Sequence, residues 1–112
     1  MHLPPAGKDR KKKEWCDLIE VSVRLDGITI SGHANYAPEG SDVVCAAITD
    51  LTQTLIQSLE DLSADKIKYE MSPGWVDIKC RNLSEEGCLL VDSFFIGICM
   101  VSYEFPEYVR IV

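Results

Sequence analysis

The chain has 112 residues, of which 46% are hydrophobic, 8% aromatic and 26% charged, a composition typical of a single globular domain. These values exclude collagen-like and low-complexity chains, and no stretch approaches the roughly 20 apolar residues that cross a bilayer. Because the N-terminus also lacks the apolar segment of a signal peptide, we predict a cytoplasmic protein without a membrane partner.

Charge is unevenly distributed along the chain. The formal net charge is −7, yet residues 1–13 contain five basic residues and one acidic residue, whereas residues 14–112 contain six basic and 17 acidic residues. The first 13 residues show no apolar periodicity, which predicts a disordered basic leader before one folded domain at 14–112. An acidic domain favours a basic partner, and we expect it to make no direct contact with nucleic acid.

The first elements of the domain form a predicted hairpin. Apolar residues alternate with polar ones over 18–25 and again over 28–31, as in strands with one buried face. Asp26-Gly27 lies between the two runs and is a typical two-residue turn. The strands are therefore expected to pair through this turn, and the irregular segment 32–41 that follows predicts a loop.

A long helix is predicted after the loop. Ser41 is a suitable N-cap, Asp42 would stabilise the first turn, and apolar residues follow at spacings of three and four as far as Leu62. This length corresponds to about five helical turns. The helix would begin at Ser41 and place Cys45 in its first turn.

The C-terminal half repeats the pattern of hairpin and helix. Two alternating runs, 66–71 and 75–80, flank a Ser-Pro-Gly turn. Ser84 is the predicted N-cap of a second helix that Pro106 terminates, and the β-prone segment 108–112 would add an edge strand. The element order ββαββαβ predicts an α+β domain with a single mixed or antiparallel sheet and two helices on one of its faces.

The cysteines provide no metal or disulfide pattern. They are five in number, an odd count, and contain no C-x-x-C pair, which disfavours both a disulfide framework and a zinc site. We predict that Cys80, Cys88 and Cys99 are small buried apolar residues. Cys45 differs from them because it lies near the predicted start of a helix.

Cys45 and His33 are the candidate catalytic residues. A helix N-terminus carries unpaired N–H groups and the positive end of the helix dipole, and both favour a thiolate. If segment 32–41 folds back, His33 can accept the thiol proton of Cys45 and later protonate a leaving amine. The unpaired N–H groups can hold the oxyanion of a tetrahedral intermediate.

Spacing alone leaves simpler interpretations open for both residues. A cysteine in an amphipathic helix is more often packed than reactive, and an isolated histidine is more often structural. Asp42 would by itself be a helix-start acid, and its charge would favour the protonated form of a nearby thiol.

A pattern of matching residues along most of the chain favours the catalytic interpretation of His33 and Cys45. The segments around both residues resemble the signature of the ribosomal-processing cysteine protease family, Prp, and the similarity covers roughly residues 17–112. The matching positions are Gly32-His33-Ala34, Tyr36-Ala37, Gly40, Asp42, Val44-Cys45-Ala46 and the C-terminal Phe105-Pro106-Glu107-Tyr108-Val109. The catalytic histidine and cysteine of the family fall on His33 and Cys45.

The resemblance also implies roles for neighbouring residues. Gly32 would set the backbone of the histidine, and Asp42 would support the geometry of the site. Segment 34–41 would be a mobile flap with Gly40 as its hinge. Thr49 falls where the family usually has a serine, so the hydroxyl is kept on a stiffer, β-branched side chain.

As a member of this family, the chain would be a homodimeric endopeptidase without metal or organic cofactor. Its substrate would be the N-terminal extension of a large-subunit bacterial ribosomal protein of the L27 type, cut after a hydrophobic, often aromatic, residue. The alternative is a non-catalytic ribosome-assembly or ribosomal-protein-binding module of the same fold. A thiol transferase or phosphatase is disfavoured, because the chain has no C-x-x-C motif and no glycine-rich loop with an arginine after Cys45.

Overall fold

Seven helices and strands make up the described part of the chain. The computed structural model describes residues 18–32, 39–72 and 74–112, with the backbone alone described for 39–42. The elements are β1 (Ile19–Arg24), β2 (Gly27–Ser31), α1 (Glu39–Leu62), β3 (Lys68–Ser72), β4 (Trp75–Lys79), α2 (Glu85–Glu104) and β5 (Val109–Ile111). The predicted order is confirmed, whereas the predicted leader at 1–13 lies outside the described residues and stays a prediction.

The five strands form one mixed sheet in the order β3-β4-β2-β1-β5. β1 pairs with β5 in parallel, and the other three neighbouring pairs are antiparallel. The pairing of β2 with β4 joins the two hairpins, and β5 forms one edge of the sheet, as predicted. Of the two sheet types that the sequence allowed, the mixed one is therefore correct.

One face of the sheet carries the core. Strand register places Val21 opposite Ile30 and Ile28 opposite Ile78, and all four side chains are buried. Both helices pack on this face through buried residues, namely Val44, Ile48, Leu55 and Leu59 of α1 and Phe94 and Ile98 of α2. Each such side chain stabilises the fold by about 1.5–3 kcal/mol relative to an exposed one. The prediction of two helices on one face is confirmed.

The first hairpin turns one residue earlier than predicted. Its two-residue loop is Leu25-Asp26, and Arg24 pairs with Gly27, which is already the first residue of β2. A Cβ atom on Gly27 would lie 2.7 Å from the carbonyl oxygen of Ile78 on β4. Gly27 is therefore required by the close approach of a neighbouring strand, a tertiary contact that the Asp-Gly pattern does not reveal.

α2 begins as predicted, and a carboxylate from a distant segment completes its N-cap. Ser84 Oγ accepts a hydrogen bond from Gly87 N at 3.1 Å, and Glu85 and Glu86 occupy the first turn. Asp65 accepts hydrogen bonds from Ser84 N at 2.9 Å and from Ser84 Oγ at 2.7 Å. This network ties the segment before β3 to the start of α2.

α2 is more apolar than the sequence analysis allowed. It is long and apolar enough to cross a membrane by length and composition, so the expectation that no stretch approaches this length was wrong. One side of α2 packs on α1, where a Cβ atom on Gly97 would lie 2.7 Å from Leu51 Cδ2. Core helices of soluble proteins meet the same criteria, but α2 also exposes the apolar residues Leu89, Ile96 and Met100 on its other side.

The three cysteines predicted to be buried differ in exposure. Cys80 is 2% exposed, as predicted, and Cys99 is partly buried. Cys88 is exposed, so its prediction was wrong. The buried side of α2 includes Ile98, and Cys88 lies about 80° away from Ile98 around a helix of 3.6 residues per turn.

Candidate active site

Gly32 follows the strand that leads into the predicted site. It has a φ of +100°, and a Cβ atom at this position would overlap the carbonyl oxygen of Leu18. Its N–H donates a hydrogen bond to the carbonyl oxygen of Gly74 at 2.8 Å. Glycine adopts this conformation without steric cost, whereas an L side chain would be strained. The geometry explains why a glycine occupies this position, and its role toward His33 stays a prediction.

The Gly32–Gly74 hydrogen bond brings the turn of the second hairpin to this end of the sheet. Next to it, Trp75 at the start of β4 is 40% exposed, and Met71 near the end of β3 is 44% exposed. Met71 pairs with Val76, whose side chain packs against the core, so Met71 lies on the helix-covered face. Met71 and Trp75 were not predicted as site residues, because only the strand register places them beside the residue before His33.

His33 and the rest of segment 33–38 lie outside the described residues. Gly40 and Asp42 lie in the first turn of α1, with only their backbone described. The predictions made for His33 and for the carboxylate of Asp42 therefore stay predictions.

α1 begins at Glu39, two residues before the predicted N-cap Ser41. Gly40 therefore lies inside the helix and not in the predicted loop, and the predicted flap 34–41 is shortened to 34–38. Cys45 is the seventh residue of α1 and lies in its second turn, so its predicted place in the first turn was wrong. The helix dipole favours an acidic residue such as Glu39 at the N-terminus, which is the physical reason for the earlier start.

Cys45 lies half-buried at the border of the core. Val44 is fully buried and Ile48 is 4% exposed, so this part of α1 is held firmly against the sheet. Thr49 is exposed. Residues four apart share one side of a helix, so Thr49 lies one turn beyond Cys45 on the helix surface. The thiol of Cys45 is thus partly accessible, on a stretch of helix that packs against the core.

Metal ligands do not cluster in the described ranges 18–32, 39–72 and 74–112. There, His, Cys, Asp and Glu side chains form no group of three that could hold a metal ion. The expectation that the protein uses no metal or organic cofactor stays a prediction.

The chain matches a protein family and is similar to several solved structures. The family described as cysteine protease Prp matches residues 17–110. The crystal structure of SMU.848 from Streptococcus mutans is 27% identical, with a TM-score of 0.77, and the alignment covers 85% of this chain and 92% of that one. No curated protein matches the chain significantly.

Two structures of an essential ribosomal processing protease Prp from S. aureus share the fold at lower identity. The complex with a substrate peptide is 16% identical, with a TM-score of 0.75 and coverage of 85% of this chain and 96% of that one. The complex with a covalently linked product peptide is 17% identical, with a TM-score of 0.72 and coverage of 84% and 95%.

The family match covers most of the chain and includes both His33 and Cys45. The resemblance proposed from the sequence is thereby confirmed, as are the α+β fold and the expectation that the protein is a cysteine protease. The chain belongs to the cysteine protease Prp family.

Proposed function

We propose that this protein is a cytoplasmic endopeptidase that removes the N-terminal extension of a large-subunit bacterial ribosomal protein of the L27 type. Cys45 is the nucleophile, His33 is the general base, and the cut follows a hydrophobic, often aromatic, residue. The observation that carries the proposal is the family match over 17–110, which contains both residues. The S. aureus relatives, a ribosomal processing protease with a substrate peptide or a covalently linked product peptide, support the choice of substrate.

The path of the chain supports a pair formed by Cys45 and His33. Gly32 follows β2, and α1 begins at Glu39, so six residues lie between Gly32 and the helix. A connection of this length reaches at most about 20 Å. Cys45 lies about 9 Å along the helix axis from Glu39, at a rise of 1.5 Å per residue. This short connection allows His33, which directly follows Gly32, to approach the N-terminal turns of α1.

The chemistry follows from a thiol beside an imidazole. His33 removes the proton of Cys45 as Sγ attacks the carbonyl carbon of the scissile bond. The tetrahedral intermediate collapses to a thioester, the C–N bond breaks, and the imidazolium donates its proton to the leaving amine. A water molecule then attacks the thioester with His33 again accepting a proton, and the thiol is restored as the carboxylic product leaves.

The first turn of α1 supplies hydrogen-bond donors for the oxyanion. The first four N–H groups of a helix lack partners within the helix, and here they belong to residues 39–42. A helical side chain points back toward the N-terminus, so the thiol of Cys45 leans over the turn that contains Ser41 and Asp42. A donor of this kind contributes about 3 kcal/mol to stabilising a tetrahedral intermediate. The shift of Cys45 into the second turn therefore leaves the oxyanion site within its reach.

Neighbouring residues have supporting roles in this proposal. The carboxylate of Asp42 helps to position the reacting groups, and Gly40 allows the chain to bend where segment 34–38 meets the helix. The hydroxyl of Thr49, one turn after Cys45, acts in place of the serine that the family usually has. Because Thr49 is exposed, its hydroxyl is available to the substrate or to the active-site loop.

Cleavage of a defined peptide tests the substrate. The full-length protein is incubated with a peptide from the N-terminus of its own organism's precursor ribosomal protein, and the products are identified by mass spectrometry. We expect one cut after a hydrophobic residue, and replacing that residue by Asp should lower kcat/KM by about 10- to 200-fold, the range for one hydrophobic pocket. Peptide binding without any cleavage would favour the non-catalytic module of the same fold.

The proposed enzyme is a homodimer, and α2 offers an interface for it. Leu89, Ile96, Met100 and Tyr103 are 69%, 61%, 67% and 90% exposed, and their spacing places them on one side of the helix. The stripe is about 21 Å long, at 1.5 Å per residue. An exposed apolar stripe of this kind marks an interaction surface, and a two-fold axis would bring the same stripe of two copies together.

Sedimentation of variants tests the dimer. We expect the wild type to sediment as a dimer and the Ile96→Glu variant to sediment as a monomer. Leu25→Glu is the matched control, because Leu25 is 101% exposed in the β1–β2 turn, away from α2. A monomeric wild type, or a dimer that survives Ile96→Glu, would remove α2 as the interface. Binding of lipid vesicles that Ile96→Glu abolishes would instead assign the stripe to a membrane.

A further inference from the structure

Five of the six basic residues in segment 14–112 converge on one open groove. The sixth, Arg110, lies on the edge strand β5, with its guanidinium 3.6 Å from the carboxylate of Glu20. The groove has a volume of about 490 Å³, and its basic lining residues are Arg24, Lys66, Lys68, Lys79 and Arg81. A protein with net charge −7 therefore concentrates positive charge at one place.

Strand register arranges the centre of the groove as a row. Arg24 pairs with Gly27, Gly27 pairs with Lys79, and Lys79 pairs with Lys68, so the row crosses β1, β2, β4 and β3. With neighbouring strands about 4.8 Å apart, the row is about 14 Å long. These residues alternate with core residues such as Ile28 and Ile78, so they lie on the face that the helices leave uncovered. Gly27 contributes no side chain, and the guanidinium of Arg24 lies over it, with Nη2 3.6 Å from the position that a Cβ atom would take.

Positive charge exceeds negative charge in the groove. Two carboxylates line it: Asp26 lies 3.7 Å from Arg24 Nε, and Asp77 lies 3.8 Å from Lys79 Nζ. Among the described residues, no carboxylate lies within 4.0 Å of the charged groups of Lys66, Lys68 or Arg81. The local balance is five cations against two anions, and three of the cations are available to a ligand.

The chemistry of the lining indicates a phosphate chain. No large apolar side chain contributes to it, and lysine is its commonest residue. Protein–protein interfaces need a buried apolar core and are depleted of lysine, whereas interfaces with nucleic acid are polar and strongly positive. At one charge per about 3.4 Å of rise along a strand, a row of 14 Å meets about four phosphates.

We propose that this groove binds the sugar–phosphate backbone of a nucleic acid strand without reading its bases. The site goes beyond the proposed peptide cleavage and does not depend on it. Net charge led us to expect no such contact for the folded domain, but net charge averages over a surface on which the basic residues are segregated. No aromatic side chain lines the groove, so the contact is electrostatic and lacks base stacking.

The groove and the candidate active site lie at opposite ends of β2. Gly27 begins the strand and Gly32 follows its last residue, a separation of about 16 Å at the rise of a β-strand. A bound strand therefore leaves the access to Cys45 open. Variants of the groove are expected to keep peptide cleavage unchanged, which provides a control for folding.

Fluorescence anisotropy with a labelled 20-nucleotide poly(U) RNA tests the proposal. Every protein is full length and carries Lys11→Gln, Lys12→Gln and Lys13→Gln, so that the basic leader contributes little to binding. Lys68→Gln and Arg81→Gln each remove one groove cation, and Arg110→Gln is the control with the same change in net charge. At about 0.1 M salt, each groove variant should bind about fivefold more weakly and reduce the slope of log K against log salt by about 0.7.

Three outcomes would overturn the proposal. The first is no RNA binding by the parent protein at about 50 mM salt, where phosphate contacts are strong. The second is an equal loss in Arg110→Gln and Lys68→Gln, which would show an effect of net charge alone. The third is a poly-glutamate of matched charge that competes at least as well as RNA, which would assign the groove to an acidic protein segment.

Discussion

Gly32 packs so closely against the carbonyl oxygen of Leu18 that no Cβ atom fits between them. With its φ of +100°, this contact fixes the direction in which the chain leaves β2 toward His33. Gly32→Ala should therefore lower the free energy of unfolding by about 1–3 kcal/mol through backbone strain. It should also lower kcat/KM for peptide cleavage, because His33 would be displaced.

Gly97→Ala is the matched control for this substitution. The three atoms nearest to its Cβ atom would all belong to the side chain of Leu51, so a rotation of Leu51 can relieve the contact. Thermal unfolding and peptide cleavage of both variants are measured together. A Gly32→Ala protein with the stability and activity of the wild type would show that the close approach to Leu18 is not needed.

Asp65 and Ser84 give an acid-sensitive contribution to stability. Hydrogen bonds from the Ser84 hydroxyl and backbone N–H, with a further one involving Ser63, hold the pKa of Asp65 below its ordinary value of 3.8. The unfolded chain then binds a proton more readily than the folded one, so this contribution is complete above about pH 4 and is lost as the pH falls through the lowered pKa. Asp65→Asn should destabilise the protein at pH 7 and flatten the acid side of the stability profile.

Urea unfolding of Asp65→Asn at a series of pH values measures this effect. The exposed residue Asp61 near the end of α1 provides the control variant Asp61→Asn, for which we expect little change. An equal loss of stability in the two variants would show that the hydrogen bonds between Asp65 and Ser84 do not stabilise the folded state.

The cysteines should differ in their reaction with iodoacetamide. Burial raises the pKa of Cys80, and the charges of Asp26 and Asp65 add to the effect. Its thiolate fraction is therefore low at any pH below the raised value, whereas Cys45 and Cys88 are partly or fully accessible. Mass spectrometry at pH 8 should find Cys80 labelled last in the folded protein and at an ordinary rate in urea.

The activity of the labelled protein separates the effect of Cys45 from that of Cys88. Labelling of Cys45 should abolish cleavage, and Cys88→Ser should remain fully active and equally sensitive to the reagent. Cleavage that survives complete labelling of Cys45 would exclude this residue as the nucleophile.

β3 is an edge strand whose apolar side chains face the side of the sheet that carries the helices. Met71 pairs with Val76, next to the hairpin turn that is bonded to Gly32. An extended peptide with a hydrophobic residue is expected to contact this strand, because exposed edges accept a further strand. Met71→Ser should raise KM with little change in Tm, since Met71 is 44% exposed.

Glu70→Ser is the control for Met71→Ser, because adjacent residues of a strand point to opposite faces. Both variants place a serine in β3, one on each face of the strand, and Glu70→Ser also removes a negative charge. An equal change in KM for both would indicate that the helix-side face of β3 does not contact the substrate.

Local signals in the sequence predicted much of the fold. Ser84 was identified as an N-cap from its position before Glu85 and Glu86, and it caps α2 as expected. The alternating runs gave the strands, and the order of elements was correct. Features that depend on a neighbouring strand could not be predicted from the sequence, such as the requirement for a glycine at position 27 beside Ile78.

The candidate site was predictable only in part for the same reason. His33 and Cys45 came from a family pattern, and the hydrogen bond between Gly32 and Gly74 depends on how two hairpins pair. The basic groove could not be predicted from the sequence, because its cations are far apart in the chain, from Arg24 to Arg81. Only the pairing of β2 with β4 brings them together.

The most direct test compares wild type, Cys45→Ala and His33→Ala in cleavage of the ribosomal-protein N-terminal peptide. We expect a single cut by the wild type, no product with Cys45→Ala although it still binds the peptide, and a loss of at least about 100-fold in kcat/KM with His33→Ala. Cleavage by Cys45→Ala at the wild-type rate would contradict the assignment of Cys45 as the nucleophile.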